Sequence, residues 1–383
     1  MKRKRLVILG STGSIGLSAI KVAQDIPERM EIVGLAANRQ ATVLAEQTRT
    51  WKPKAIACYD KTQISTLQSQ IPKEIPCYAG EEGLIQLATM PEADMVLVAI
   101  VGTAGLAPAL AAIEAGKDLA VASKEILVMA GEAVMNAAKR KGVKILPVDS
   151  EHNAIFQCLQ GDRQNQVKRL ILTASGGPFR KTSAEEIENV TVEQALKHPT
   201  WTMGQKITID SATLFNKGLE MIEAKWLFDV PIQKVDVVVH PQSIVHSLVE
   251  FEDGSQLAQL SHSDMCFPIQ YAVTYPDRLT NRLRQLRLEE VGSLTFEAPD
   301  TNRFPSLNLA RLAGEKGGTL PAVFNAANEV AVEKFLGRKI KFPQIWRSVE
   351  KVMLAHQNIE HPSLDAIKQA DAWAREEAER VLG

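Results

Sequence analysis

Residues 6–25 read LVILGSTGSIGLSAIKVAQD. The four apolar residues 6–9 have the length and character of a buried strand. Three glycines follow at GxxGxxG spacing, Gly10, Gly13 and Gly16. Behind them, apolar residues recur with helical period over 15–25. Strand, glycine turn and helix in that order suit a pyrophosphate: glycine lets the backbone turn sharply and lets the anion approach the amides at the helix N-terminus. The spacing is not the commoner GxGxxG, and a mere tight turn uses the same glycines. The strand before and the helix after are the context a dinucleotide site demands.

Working outward, the first 148 residues alternate. Strand-like runs lie at 31–36, 55–58, 95–100, 119–122 and 144–148, and helical patterns at 41–50, 107–115 and 126–141 separate most of them. Short apolar strands covered by helices on both faces predict a Rossmann-like, doubly wound parallel sheet, an α/β architecture. Residues 95–113 carry no charge and are long enough to tempt a membrane assignment. Gly102, Gly105 and Pro108 interrupt them, so they read as a buried strand, a glycine turn and a helix from about Leu106.

From Glu151 the texture changes. Strand patterns at 169–173, 234–239, 244–250 and 256–260 mix with loops and one strong helix near 211–228, and Asp253-Gly254 marks a hairpin. This predicts a central α+β domain over 149–275. An Arg- and Leu-rich linker fills 276–300. Helical patterns at 308–316, 321–335, 342–355 and 363–382 predict a C-terminal helical bundle over 301–383.

Forty-four basic side chains face 45 acidic ones, for a formal net charge of −1. Without a basic stripe, nucleic-acid binding is not expected. Cys58, Cys77, Cys158 and Cys266 are far apart with no CxxC pair, which is neither a disulfide framework nor a zinc pattern. Buried thiols in a reducing compartment are the expectation. The opening MKRKR is basic, but only residues 6–9 follow before Gly10, short of the ~7–15 apolar residues of a signal peptide. A cytoplasmic chain without a membrane segment is expected.

Three clusters carry chemistry. The second strand runs out into Asn38-Arg39-Gln40, where NAD sites usually carry an acid for the ribose 2′-hydroxyl. Arg39 suits a 2′-phosphate instead, favouring NADPH, although a solvated arginine has the same sequence. The strand 144–148 runs into Asp149-Ser150-Glu151, at a carboxyl end where ligands bind in open α/β sheets. Read as extended, this segment points both carboxylates to one side, as hard ligands for Mg²⁺ or Mn²⁺; an acidic N-cap of the next helix is the other reading. In the third cluster, Asn216, Lys217 and Glu220 share one helix face at i,i+4 and i,i+3, either as phosphate donors and a metal carboxylate or as plain surface pairing. Ser175-Gly176-Gly177, after a strand, offers a hydroxyl and bare amides of the kind that hold phosphate.

The motifs GSTGSIG at 10–16, SKE at 123–125, PVDSEHNAIFQ at 147–157, LTASGGPFR at 172–180, HPTWTMGQKITIDSATLFNKGLE at 198–220 and HPQSIVHSLVEFEDGS at 240–255 occur in that order. Together they resemble the 1-deoxy-D-xylulose 5-phosphate reductoisomerase family, over nearly the whole chain. The resemblance implies a homodimer that uses NADPH and a divalent metal (Mg²⁺, Mn²⁺ or Co²⁺). Its substrate would be a small phosphosugar, 1-deoxy-D-xylulose 5-phosphate, rearranged by a retro-aldol and aldol sequence and reduced to 2-C-methyl-D-erythritol 4-phosphate. Domain 1–148 would bind NADPH, and 149–275 would serve catalysis and dimerisation.

By match to the family's motifs, Asp149, Glu151 and Glu220 would hold the metal. Ser150, Glu151, Ser175, His198, Trp201, Ser211, Asn216, Lys217 and Glu220 would bind substrate, with Lys124 beside them. Lys124, Asp149, Glu151, Glu220 and His198 would form the catalytic set. Thr12, Gly13, Ser14, Ile15, Asn38, Arg39, Gln40, Ser123, Lys124, Glu125 and Gly204 would line NADPH. The segment near 198–204 would be a flap that closes Trp201 over the substrate. The chain departs from the family's frequent residues at 38–40, where a basic residue is kept, at Ser123, and at Cys266, where arginine is common. Another NADPH-dependent oxidoreductase would need no three-carboxylate metal site, and a non-enzymatic NADPH sensor would need neither metal nor phosphate cluster.

Overall fold

The structure, a computed structural model, describes residues 3–161, 166–201 and 203–383. The chain divides into two units. The first comprises Met1–Ile126, Glu132–Asn153 and Asp264–Arg284; the second comprises Leu127–Gly131, Ala154–Ser263 and Gln285–Gly383.

In the first unit, seven strands form one parallel sheet: β1 (Lys4–Leu9), β2 (Met30–Ala37), β3 (Ala55–Cys58), β4 (Cys77–Ala79), β5 (Met95–Val98), β6 (Asp118–Val121) and β7 (Ile145–Pro147). The spatial order is β4-β3-β2-β1-β5-β6-β7. Strand order therefore reverses between β1 and β5, which in open α/β sheets is where ligands bind, beyond the carboxyl ends. Leu6 to Leu9 and all of β3 and β5 are buried, as strands covered on both faces must be. The uncharged stretch at 95–113 is strand β5, a short 3₁₀ turn and helix Leu106–Glu114, in the expected order. No helix among the described residues is long and apolar enough to cross a membrane.

The turn after β1 admits only glycine at two places. Gly10 has φ +98°, and a Cβ there would lie 2.4 Å from the Ala99 carbonyl oxygen after β5. A Cβ on Gly16 would lie 2.3 Å from the Gly10 oxygen and 2.5 Å from Ser11 Cα, so the first helical turn can seat on the loop only without a side chain. Gly16→Ala is expected to lower unfolding free energy by about 1–3 kcal/mol, because backbone on both sides must shift. A urea midpoint equal to the parent's would contradict this.

In the second unit, β8 (Val167–Ala174), β9 (Val235–Val239), β10 (Val245–Phe251) and β11 (Gln256–Leu260) form a mixed sheet in the order β11-β10-β8-β9. β8 and β9 run parallel, and β10 is antiparallel to both β8 and β11. The β10–β11 turn holds Gly254 at φ +84°, the hairpin expected from Asp253-Gly254. One apolar core joins this sheet to the helices, with Leu170, Leu172, Phe215, Leu219, Phe324 and Phe342 among its members. Phe215 and Phe324 rings stand 5.1 Å apart.

The compact units differ from the expected divisions in three ways. Helices Ser306–Lys316, Leu320–Leu336, Gln344–Ala355 and Leu364–Leu382 share the core of the second unit instead of forming a bundle of their own. Helix Cys266–Thr274 belongs to the first unit, where it packs against helix Ser14–Asp25. Cys266 itself is buried there, its thiol 3.7 Å from the Ser18 carbonyl oxygen. Burial, with Asp264 beside it, pushes that thiol up to about 12. Residues 276–284 go with the first unit and 285–300 with the second, so the linker is split.

Two local readings are also corrected. The helix expected at 211–228 is two helices, Gln205–Ala212 and Phe215–Leu227. Leu214 breaks them with φ 63°, and the Thr213 hydroxyl turns back onto the Ile209 and Asp210 carbonyls. The segment after β7 is not extended: helix Ser150–Cys158 starts at once, which puts Glu151 in its first turn. The structure also adds β4 and helix Gly80–Ala88, which no pattern had marked.

Candidate active site

The first unit carries two sets of the expected residues. Around the glycine turn, Thr12 and Ile15 are half-buried, and Gly13 and Ser14 are exposed. Gly13 caps helix Ser14–Asp25 without a side-chain hydrogen bond, and the first turn holds no acid. Its amides are therefore not engaged by a capping side chain, and no carboxylate repels an anion there. The loop is tied down by a residue that sequence reasoning missed. The Gln47 amide donates to the Ser11 carbonyl oxygen (3.0 Å) and accepts from the Ser11 hydroxyl (2.7 Å), both buried. The signal was available: Gln47 is a polar residue on the inward face of helix Ala41–Trp51.

Asn38, Arg39 and Gln40 stand exposed at the carboxyl end of β2. Arg39 Nε donates to Asp60 Oδ2 at 3.1 Å. Hydrogen bonds from the Thr62 side chain and amide, with Arg39 adding to them, hold the Asp60 carboxyl below its usual range. Because Asp60 takes Nε, the Arg39 Nη pair, the fork that matches phosphate, stays clear of that ion pair. At the end of β6 the buried Ser123 hydroxyl is engaged by the Ile100 carbonyl, with Val98 O at 3.4 Å. Lys124 and Glu125, both buried, open the next helix. Lys124 Nζ donates to the carboxylate of Asp149. Asp149 O accepts from Asn153 N at 2.8 Å, so Asp149 stands at the entry of helix Ser150–Cys158. The Ser150 hydroxyl donates to Glu151 Oε2.

The second unit holds the remaining residues. On helix Phe215–Leu227, Lys217 Nζ reaches Glu220 Oε1 at 2.9 Å and Oε2 at 2.7 Å, and Asn216 Nδ2 donates to Oε1 at 2.6 Å. The residue spacing thus does bring these three together on one face. Glu220 is fully buried and Lys217 nearly so, which excludes a solvated surface pair. A buried carboxylate keeps its charge only with such partners. Asn216 Oδ1 is buried without a hydrogen-bond partner among the described residues.

At the carboxyl end of β8, Gly176 and Gly177 are left-handed, with φ +80° and +66°. The Gly177 amide is not bare, since it donates to Ser175 Oγ at 3.2 Å. A Cβ on Gly177 would lie 2.9 Å from Ala212 Cα, so this glycine lets helix Gln205–Ala212 approach the loop. Ser211 Oγ and Ser175 Oγ both lie 3.0 Å from His198 Nε2. Trp201 is half-buried, 6.4 Å from the His246 ring. Gly204 is exposed and caps helix Gln205–Ala212. Thr202, inside the expected flap, lies outside the described residues.

A second missed contact steadies the helix that carries Ser211. Buried Asp210 accepts from Asn328 Nδ2 and pairs with Lys206 Nζ, each at 2.8 Å. Asn328 is an amide within the apolar run PAVFNAANEVAV, which was its only mark in the sequence. His240 is a packing residue. Its Nε2 accepts from the Ile244 and Val245 amides, Nδ1 donates to Thr295 O, and Phe296 stacks on the ring at 4.7 Å.

Known proteins match this chain along its length. Residues 6–131 match the family model described as 1-deoxy-D-xylulose 5-phosphate reductoisomerase, and 145–228 match that enzyme's C-terminal domain model. Residues 260–377 match a further DXP reductoisomerase C-terminal domain. The 1-deoxy-D-xylulose 5-phosphate reductoisomerase of Pelodictyon phaeoclathratiforme is 53% identical over 380 residues, covering 99% of this chain and 100% of its own. That of Pelotomaculum thermopropionicum is 52% identical over 382 residues, 99% of this chain and 98% of its own. Among solved structures, the Zymomonas mobilis enzyme in complex with NADPH matches with TM-score 0.93 and 42% identity, covering 99% of both chains. A DOX-P reductoisomerase in complex with NADPH, fosmidomycin and magnesium matches with TM-score 0.93 and 41% identity, over 99% of this chain and 98% of that one. The chain belongs to the 1-deoxy-D-xylulose 5-phosphate reductoisomerase family.

Proposed function

We infer that this chain carries out the NADPH- and divalent-metal-dependent isomerisation and reduction of 1-deoxy-D-xylulose 5-phosphate to 2-C-methyl-D-erythritol 4-phosphate, in the non-mevalonate isoprenoid pathway. The likeness over nearly the whole length to an enzyme that holds NADPH, fosmidomycin and magnesium carries this reading. NADPH consumption, followed by absorbance with the phosphosugar, tests it. Turnover is expected with Mn²⁺ and none after chelation. Metal-independent turnover would point instead to an ordinary NADPH-dependent dehydrogenase.

The residue roles are proposals. Thr12, Gly13, Ser14 and Ile15 would receive the pyrophosphate, because the uncapped, acid-free helix start and the glycine turn before it fit an anion. Arg39, with Asn38 and Gln40, would take the 2′-phosphate, while Ser123, Lys124, Glu125 and Gly204 would line the rest of the cofactor. Asp149, Glu151 and Glu220 would hold the cation. They offer carboxylate oxygen alone, the donor type that hard divalent ions prefer, and the unpartnered Asn216 Oδ1 beside Glu220 leaves a further buried acceptor to be satisfied. When bound, the cation supplies Lewis-acid polarisation of the substrate's oxygens and NADPH supplies the hydride.

The chain's own side chains would do the rest. Ser175, Ser211, Asn216 and Lys217 would anchor the phosphate through hydroxyl, amide and ammonium donors, with His198 Nε2 among them. Ser150 would orient Glu151, and Lys124 would hold Asp149 and present its remaining N–H groups to the substrate. Trp201 would cover the sugar and keep water from reactive intermediates. Trp201→Ala is therefore expected to raise KM for the phosphosugar by about tenfold, the effect of losing a buried aromatic contact, with the thermal midpoint unchanged. Parental kinetics would remove Trp201 from the substrate. The assignments to the cytoplasm and to a homodimer are proposals as well. Four free cysteines suit a reducing compartment. β11, at the end of its sheet with Leu257 exposed, offers an edge for a second copy.

A further inference from the structure

His198 is bound at both ring nitrogens. Nδ1 accepts from the Thr200 amide at 3.2 Å and the Trp201 amide at 2.9 Å. With that lone pair engaged by two N–H donors, the proton of the neutral ring sits on Nε2. Nε2 in turn faces Ser175 Oγ and Ser211 Oγ at 3.0 Å each. Ser175 follows β8 and Ser211 lies on helix Gln205–Ala212, so one ring links two separate pieces of the unit to the backbone of the Trp201 segment. Thr200 adds a tie of its own, its hydroxyl 3.1 Å from Ser243 Oγ.

We propose that His198 is a positioning residue for Trp201: its Nδ1 fixes the 198–201 turn while its Nε2–H belongs to the phosphate-anchoring hydroxyls, so that phosphate capture and placement of the indole are coupled through one ring. This rests on the phosphate role given above to Ser175 and Ser211. The turn has the pattern of an Asx turn, in which a side chain accepts amides two and three residues ahead, with imidazole nitrogen in place of an amide oxygen. The two ends of the ring are thus separable by substitution. Asparagine places Oδ1 near the Nδ1 position and has nothing at Nε2. Glutamine reaches the Nε2 position with an N–H and leaves the Nδ1 position empty.

The test uses the full chain with Mg²⁺. Accessibility of Trp201 is read as acrylamide quenching, taken as the difference from the matching Trp201→Phe protein. Affinity for inorganic phosphate is measured by calorimetry. His198→Asn is expected to keep parental quenching of Trp201 and to weaken phosphate about tenfold, the effect of one lost hydrogen bond. His198→Gln is expected to keep phosphate affinity and to raise Trp201 quenching several-fold, with KM for the phosphosugar rising. If His198→Asn exposes Trp201 as much as His198→Gln does, or if His198→Gln leaves it protected, the coupling is overturned. If phosphate affinity is unchanged in both variants, the phosphate role of the hydroxyl pair fails, and the quenching comparison still decides what fixes Trp201.

Discussion

Glu220→Gln is expected to lower metal-dependent turnover by about a thousandfold, because losing one anionic ligand forfeits several kcal/mol of charge stabilisation. The substitution keeps the shape of the side chain and one carbonyl acceptor for Lys217 and Asn216, which now hold both carboxylate oxygens. What it removes is the charge. Lys217 then becomes a nearly buried ammonium without this counter-ion, and breaking a buried pair costs about 3–5 kcal/mol. A thermal scan must therefore accompany the kinetics, and a folded variant is scored by its cofactor. NADPH fluorescence titration should give the parental Kd, since the proposed cofactor residues lie elsewhere in the sequence. Parental turnover would remove Glu220 from the metal shell. Loss of NADPH binding together with turnover would show a general collapse instead.

The second large effect is on cofactor choice. Arg39→Asp is expected to weaken NADPH by about ten- to a hundredfold, the loss of one charge-assisted contact plus repulsion of the 2′-phosphate, and to change NADH much less. The local geometry sharpens this expectation. Asp60 holds Arg39 through Nε, and Thr62 fixes Asp60 in turn with bonds of 3.0 and 2.6 Å to Oδ1. An aspartate at 39 would meet a carboxylate already held ionised, so no compensating contact is available. Equal losses for the two cofactors, measured as Kd by fluorescence, would refute the 2′-phosphate role.

The parallel sheet was legible because strands covered on both faces leave short, uninterrupted apolar runs, and helical patterns separate most of the six that precede residue 149. β4 was not, because Cys77, Tyr78 and Ala79 are too few to show a period and are only half-buried. The face shared by Asn216, Lys217 and Glu220 was legible from helix geometry alone. The break at Leu214, just before it, was not. An apolar residue in the left-handed region carries no sequence mark, and the turn is held by the Thr213 hydroxyl and by packing. Contacts between residues far apart in sequence were invisible for the same reason. Gln47 on Ser11, and Asn328 on Asp210, show only as polar residues in apolar surroundings, a sign that something buried needs a partner but not which one. The return of helix Cys266–Thr274 to the first unit is likewise a property of chain path rather than of composition.

In the proposed reaction Asp149, Glu151 and Glu220 serve one divalent cation. A crystal structure of the full chain grown with Mn²⁺, with the ion located by its anomalous scattering, tests this directly. The predicted result is a single Mn²⁺ with an oxygen of each of the three carboxylates within about 2.3 Å. An ion bound by Asp149 and Glu151 while Lys217 and Asn216 still engage both oxygens of Glu220, or an ion bound by none of the three carboxylates, would contradict it.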